Sequence, residues 1–392
     1  MSLETRVDAD TFVIGLAGHI DSSNSDVIQQ EILAERQAHP AGKLTLDADK
    51  LEYISSAGLR VILRLSKMEP SLKLINVSSA VYEVFEMTGF NEMIPIEKAY
   101  RRLSVEGCEI IGQGSNGKVY RLDPDTIIKV YNNPDALPEI HRERELAHKA
   151  FVLGIPTAIP YDVVKVGNGY GSVFELLNAK SFSKLLNEDP TKIDYYVGLY
   201  VDLLKKIHST DVEEGSMPNM KEVAYHWAEY LVDYLPQEES AKLLALIAAV
   251  PDVHKMIHGD YHTKNVMMQK GEVLLIDMDT LSYGHPIFEF ASMYLGFIGF
   301  GEMDPAQAQS FMGIPYPMAC TFFHKALSLY LGNPGEAKVQ EVQEKAMIIG
   351  YTRLMRRTIK RIGKDTPEGK PVVDCCAKHL HELLLKTDTL LF

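Results

Sequence analysis

Apolar and polar positions in the first hundred residues follow two short-range periods in turn. Residues 11–16 alternate with period two, as a half-buried strand does. Asp21-Ser22-Ser23 then opens a helical stretch over about 26–37. A second β-rich run covers 44–51. The sharp turn Ser55-Ser56-Ala57-Gly58 leads into a helical pattern over 59–66. A third strand pattern covers 72–77, and Ser78-Ser79 starts a helix that reaches Thr88 and stops at Gly89. This β-α-β-α-β-α order predicts a small α/β sandwich.

The pattern changes near residue 100. A glycine-rich hairpin comes first, Ile111-Gly112-Gln113-Gly114-Ser115-Asn116-Gly117-Lys118-Val119-Tyr120. A turn at Asp123-Pro124-Asp125 and the strand pattern 126–131, carrying Lys129, come next. A helix is expected over 137–153, and a strand at Val173-Phe174-Glu175-Leu176-Leu177. Long helical runs fill the rest. These shifts divide the 392 residues into 1–100 and 101–392, the second part with a mixed lobe, 104–177, and a mainly helical lobe, 178–392. The join over 97–104 is short, which predicts packed rather than tethered domains.

Composition narrows the classes. Hydrophobic residues make up 46% and charged residues 24%, a globular balance. No run of eighteen apolar residues spans a membrane, and the polar stretch 1–10 lacks the apolar region of a secretion signal. The net charge of −13 argues against nucleic-acid binding, which needs a positive field against phosphates. Cys108, Cys320, Cys375 and Cys376 have no zinc-site spacing. The adjacent pair Cys375-Cys376 is read as redox-active or as two buried thiols, and a reducing cytoplasm fits both.

Chemistry concentrates in two places. In the hairpin, glycines let backbone N–H groups close over phosphates, and a strand lysine can reach them. Lys129 needs a carboxylate to hold it. The following helix offers Glu143 and Glu145, and residues two apart point in different directions. Distance from the lysine favours Glu145, with Glu143 left to a solvated face. The second place is His258-Gly259-Asp260-Tyr261-His262-Thr263-Lys264-Asn265-Val266, followed by Leu274-Leu275-Ile276-Asp277-Met278-Asp279. These supply oxygen ligands suited to a hard cation.

Two resemblances follow from these residues. The segment Leu51-Glu-Tyr-Ile-Ser-Ser-Ala-Gly-Leu-Arg-Val-Ile-Leu63, with Gly18-His19-Ile20-Asp21 and Met87-Thr88-Gly89-Phe90, resembles the STAS family of anti-sigma-factor antagonists. That likeness implies a regulatory protein partner and a phosphorylation site at Ser56. Ser55 stands where the family often has Asp, and a simple helix cap is the competing reading of both serines. From residue 104 onward, the order of glycine loop, strand lysine, acidic helix, H-G-D-x-x-x-x-N loop and I-D-x-D strand end resembles the aminoglycoside and choline phosphotransferases. It implies a bilobal, α+β protein-kinase-like fold with a mainly helical C-terminal lobe.

The resemblance implies roles for individual residues. Gly112, Gly114, Gly117 and Lys129 would hold the ATP phosphates, with Glu145 behind the lysine, and the backbone of Glu175 and Leu177 would meet adenine. Asn265 and Asp277 would bind Mg2+, and Asp260 would take the proton of an attacking hydroxyl. Gly284-His285-Pro286 stands where the family has Gly-Asp-Pro and leaves little room for a peptide-docking segment, so a small-molecule hydroxyl is the expected acceptor. The alternative is a regulatory protein whose kinase-like part senses nucleotide or phosphorylates a STAS serine. Arg353, Arg356, Arg357, Lys360 and Arg361 cluster on one predicted helix. They read as a solvated face or as a site for an anionic partner.

Overall fold

The structure, a computed structural model, describes residues 3–8, 11–40, 42–114 and 116–392. Met1, Ser2, Ala9, Asp10, Ala41 and Ser115 lie outside the described residues. The chain divides into two compact units, one of residues 1–104 with 163–167, the other of 105–162 with 168–392.

The first unit runs β1 (Glu4–Asp8), β2 (Thr11–Ile20), α1 (Ser25–Ala38), β3 (Lys43–Ile54), α2 (Ser56–Met68), β4 (Lys73–Val77), α3 (Ser79–Met87), β5 (Ile96–Lys98) and β6 (Arg102–Leu103). Strands β1 to β5 form one sheet in sequence order. The β1–β2 pair is antiparallel and the other three pairs are parallel. The expected alternation in β2 is replaced by Phe12, Val13 and Ile14 buried in succession. A strand inside a parallel sheet is covered on both faces, which removes the polar side that alternation needs. The edge strands β1 and β5 are too short and too polar to show a pattern.

Helix α2 explains the glycine of its opening turn. A Cβ on Gly58 would stand 2.7 Å from Ile54 Cγ1 and 2.8 Å from Ile20 Cγ2. The helix therefore packs directly on the ends of β2 and β3. Ser55 is the N-cap, and its hydroxyl accepts from the N–H groups of Ala57 and Gly58.

The second unit begins with β7 (Ile110–Gln113), β8 (Gly117–Arg121), β9 (Thr126–Tyr131) and α4 (Leu137–Val152). Strand β10 (Asp162–Val166), all but its first residue counted with the first unit, comes before β11 (Gly169–Glu175), and β7, β8, β9 and β11 pair antiparallel in that order. Next come β12 (Lys180–Ser181), α5 (Phe182–Glu188), α6 (Ile193–Ser209), α7 (Met220–Tyr230) and α8 (Gln237–Ala248). Short strands β13 (Met256–Ile257), β14 (Val266–Gln269), β15 (Glu272–Leu275) and β16 (Ser282–Tyr283) frame the catalytic-type motif. Helices α9 (Ile287–Tyr294), α10 (Phe300–Met303), α11 (Pro305–Met312), α12 (Tyr316–Tyr330), α13 (Glu336–Arg361) and α14 (Gly369–Lys386) complete it.

The helix expected over 350–362 is the C-terminal half of the 26-residue α13. A single core joins α4 to the helical lobe, with Tyr200, Tyr261, Phe290, Phe297 and Phe322 among its largest buried side chains. Cys376 is buried in it and Cys375 half-buried. Burial pushes the Cys376 thiol up, which disfavours the reactive thiolate. Among the described residues, no helix is long and apolar enough to cross a membrane.

Candidate active site

The hairpin β7–β8 and the strand β9 build one wall. Gly112 pairs with Val119, and Gly114 donates its N–H to the Gly117 carbonyl, 2.9 Å away. The three glycines are not equivalent. A Cβ on Gly117 would run into the Val130 carbonyl oxygen, one on Gly112 would make ordinary contact with Val119, and one on Gly114 would meet nothing within 4 Å. Gly117 is therefore needed for strand packing, whereas Gly114 leaves open space over the loop.

Lys129 sits on β9, between two carboxylates. Its ammonium donates to Glu143 Oε1 at 2.9 Å and to Asp277 Oδ1 at 2.9 Å. The partner on α4 is Glu143, which corrects the expectation of Glu145. Glu145 lies 64% exposed and takes Lys149 one turn on at 2.6 Å, while Glu143 is only 7% exposed. The reason is helix period. Ile140, Glu143, Ala147 and Ala150 fall on the buried face of α4, and Glu145 is turned roughly 200° away from Glu143. Distance along the chain from the lysine does not report which face of α4 the core buries. Tyr131 completes the cluster, donating its hydroxyl to Glu143 Oε2 at 2.6 Å.

Burial alone would push the Lys129 ammonium down. The charges of Asp277 and Glu143 outweigh it and hold the ammonium well above the usual lysine range. Lys129 is therefore a fixed cation.

The loop 258–265 leaves β13 and enters β14, and its backbone is tied at several points. Glu289, fully buried in the first turn of α9, accepts the N–H groups of His258 at 2.6 Å and Gly259 at 3.0 Å. Thr280 donates its hydroxyl to the His258 carbonyl at 2.7 Å, and Ser292 donates to the Gly259 carbonyl at 2.5 Å. Gly259 has φ +80°, and a Cβ there would stand 2.7 Å from the Thr280 carbonyl oxygen. His258 accepts the Asp260 N–H on Nδ1 at 3.3 Å. His208, on α6, packs beside Glu289 at 3.7 Å and holds Tyr330 through Nδ1 at 2.9 Å, a structural position.

Asp260 is thereby presented with its side chain partly open, 36% exposed. Burial would raise its carboxyl, but the His262 imidazole, with Nε2 3.4 Å from Oδ2, outweighs that and brings it down to about 2. The group is a carboxylate at neutral pH and can accept a proton. Asn265 donates its amide N–H to the Asp260 carbonyl at 3.0 Å.

Asp277 ends the β14–β15 hairpin in the left-handed region, φ +66°, a conformation that costs about 1–3 kcal/mol for a non-glycine residue. That strain aims the carboxylate at Lys129. Asp279, two residues on, accepts from the Asn116 amide at 3.1 Å. Burial, and then the nearby charge of Asp277, push the Asp279 carboxyl up to about 7. The Ile276 N–H donates to the Asn265 carbonyl at 3.0 Å, which sets Asn265 beside the strand end that carries Asp277 and Asp279. Carboxylate and amide oxygens are the hard ligands a divalent cation takes, but among the described residues no group of three or more His, Cys, Asp or Glu side chains is gathered as a metal site.

The hinge residues are placed at the end of β11. Glu175 pairs with Thr126 in the sheet, and the Leu176 N–H donates to the Asp125 carbonyl at 2.7 Å. Leu177 follows, half-buried. His285 replaces the acidic residue of the related turn; burial, and then His208, lower its imidazole to about 4, so it is neutral at neutral pH. Reading the sequence alone left the end of α13 open. There Arg353 donates Nη1 to the Gly259 carbonyl and to Ser292 Oγ, each at 3.2 Å.

Comparison with known proteins agrees with this architecture. The pattern of the phosphotransferase enzyme family matches residues 107–313, and that of the STAS domain matches 2–103. A Bordetella bronchiseptica protein described as "putative anti-sigma factor antagonist BtrV" is 35% identical over 85 residues, 21% of this chain and 72% of that protein. Aminoglycoside phosphotransferase APH(4)-Ia, solved with ADP and hygromycin B, superposes with a TM-score of 0.50 at 10% identity. The match covers 79% of this chain and 99% of that one. A choline/ethanolamine kinase family protein from Mesorhizobium loti gives 0.47 at 11% identity, over 72% and 89%. The chain belongs to the phosphotransferase enzyme family and carries a STAS domain ahead of its phosphotransferase domain.

Proposed function

We propose that the chain transfers the γ-phosphoryl group of ATP, with Mg2+, to a hydroxyl of a small molecule, under the influence of its STAS domain. The observation that carries this reading is the joining of Lys129, Glu143 and Asp277 into one ion cluster in the unit that also presents the Asp260 carboxylate. Lys129 neutralises phosphate oxygens, and the loop over Gly112, Gly114 and Gly117 offers backbone N–H groups to them. Asn265 and Asp277, with Asp279 beside them, would hold Mg2+, which would supply charge neutralisation on the transferring group. Asp260 takes the proton of the acceptor hydroxyl or orients it. The backbone around Glu175 and Leu177 is the candidate adenine contact.

A thermal-shift titration with Mg·ATP tests the reading, because a ligand of the folded state raises its stability by mass action. At a concentration 100 times Kd the gain is about 2.7 kcal/mol. A magnesium-dependent shift is expected in the wild type and is expected to vanish in Asp277→Asn. No shift in the wild type would remove ATP from the proposal.

A regulatory role for the STAS domain rests on Ser55 and Ser56. Ser55 takes the capping bonds of α2, and Ser56 is left exposed at the first position of the helix. A phosphate there would meet the positive end of the helix dipole. Mass spectrometry after incubation with Mg·ATP is expected to find phosphate on Ser56 through this chain or a second copy. An active enzyme with Ser56 unmodified would sink the self-phosphorylation reading.

A further inference from the structure

The last turns of α13 carry Arg353, Arg356, Arg357, Lys360 and Arg361 in a chain of net charge −13. Exposed basic residues in such a chain ordinarily find acidic partners three or four positions away. Elsewhere on these helices they do. Lys338 and Lys345 pair with Glu341, Lys370 with Asp374 and Lys378 with Glu382. Among the described residues, no carboxylate pairs with any of the five at the end of α13.

The helix dipole accounts for Lys360 and Arg361, which lie in the last turn. It does not account for Arg353, two turns earlier. Arg353 is half-buried, lies over the ring of Trp227 with 5.4 Å to the centroid, and donates only to neutral oxygens, those of Gly259 and Ser292. Arg356 lies over Tyr230 at 5.7 Å, and its Nε is buried without a hydrogen-bond partner. Positions 353, 357 and 361 recur every four residues and share one face, about 6 Å apart along the axis. The row starts at Gly259, next to Asp260. Burial, and then the like charges of Arg361 and Arg353, lower the Arg357 guanidinium, while Asp260 works the other way.

We propose that the phosphoryl acceptor is a small hydroxyl compound that itself carries a phosphate or carboxylate, with that group docked on Arg353 and Arg357 while its hydroxyl meets Asp260. This rests on the phosphotransferase reading and names its substrate class. Guanidinium forks match both anions with paired N–H donors. Binding an anion relieves the repulsion along the row, whereas a polycation would add to it. Arg353 bonds the carbonyl of Gly259, the residue before Asp260, so one short molecule can present its anion to the row and its hydroxyl to the carboxylate. The γ-phosphorus–oxygen bond forms as its bond to the ADP oxygen breaks, and the hydroxyl proton goes to Asp260.

Trp227, the single tryptophan of the chain, lies under Arg353 and serves as the probe. The full chain is saturated with Mg·AMP-PNP, so that the nucleotide phosphate positions are filled, and titrated with inorganic phosphate at constant ionic strength. A saturable change in fluorescence is expected, weakened at least tenfold in Arg357→Ala and unaltered in Lys378→Ala. A linear response equal to that of chloride, or equal binding by Arg357→Ala, would overturn the proposal. Glycerol 3-phosphate and glycerate are expected to displace phosphate, and glycerol to leave it bound. Displacement by a phosphoserine peptide but by neither small anion would give the face to a protein and overturn the small acceptor. Turnover of kanamycin with none of the small anions bound would overturn it equally. The Mg·AMP-PNP thermal shift, read separately, shows whether the nucleotide half stands.

Discussion

Asp260→Asn is expected to lower kcat for phosphoryl transfer by about 10²- to 10⁴-fold, the usual worth of a positioned acid–base group. The change keeps the shape of the side chain. It also keeps the backbone carbonyl that holds Asn265 and the Glu289 bonds that hold the loop. What it removes is the negative charge. Asp260 is ionised throughout the neutral range because its carboxyl lies near 2, so an amide there neither accepts a proton nor draws one from the acceptor. Lys129 and Asp277 are untouched. The Mg·ATP thermal shift should therefore survive while turnover disappears. Steady-state ADP release and the nucleotide shift, measured on the same preparation, separate chemistry from binding. A kcat within threefold of the wild type would exclude Asp260 as the proton acceptor. Loss of the nucleotide shift as well would mean that the substitution had disturbed the loop.

The second large effect is expected at α4, and it takes the form of a contrast. Glu143→Ala should destabilise the phosphotransferase unit by about 3–5 kcal/mol, the cost of breaking a buried pair from one side. It leaves the Tyr131 hydroxyl with only the long contact to Ser172 Oγ at 3.4 Å and removes one of the two carboxylates on Lys129, which is itself only 16% exposed. Because Asp277 still holds the ammonium, the lower end of that range applies. Loss of the lysine's fixed position should also cost kcat/KM on the order of 10²-fold, as misplacement by about an ångström does. Glu145→Ala removes an exposed pair with Lys149, worth about 0.3–0.5 kcal/mol, and should leave kinetics unchanged. Thermal melts and ATP saturation curves of the two variants make the comparison. Equal damage from both would contradict the arrangement in which Glu143 alone faces Lys129.

Much of the molecule's chemistry was legible because it is local. The hairpin glycines, the strand lysine and the 258–265 loop are contiguous stretches, and each needs its residue types in order within a few positions. Phosphate approach needs glycine, and a loop that presents one carboxylate and one amide needs both at fixed spacing. The same holds for the Ser55-Ser56-Ala57-Gly58 turn, where a cap, a helix start and a close approach to Ile20 and Ile54 fall within four residues. The burial of β2 on both faces was not legible, because a strand shows its neighbours only when the sheet is assembled.

The tertiary structure alone decided which groups meet across long separations. Lys129 and Asp277 are 148 positions apart, and their contact depends on β9, α4 and the β14–β15 hairpin packing together. Glu143 rather than Glu145 followed from which face of α4 the core buries, a choice set by Ile140, Leu146, Ala147 and Ala150. Glu289, 30 positions after Gly259, bonds two N–H groups of the loop that carries Asp260 only in the fold. The basic end of α13 read first as a solvated face. Its meaning depends on Arg353 reaching Gly259 across 94 positions and on the absence of acidic partners among the described residues. Sequence alone determined the kinds of group present and their local order. Burial, which sets both partner and charge state, is a property of the packed chain and came only with the fold.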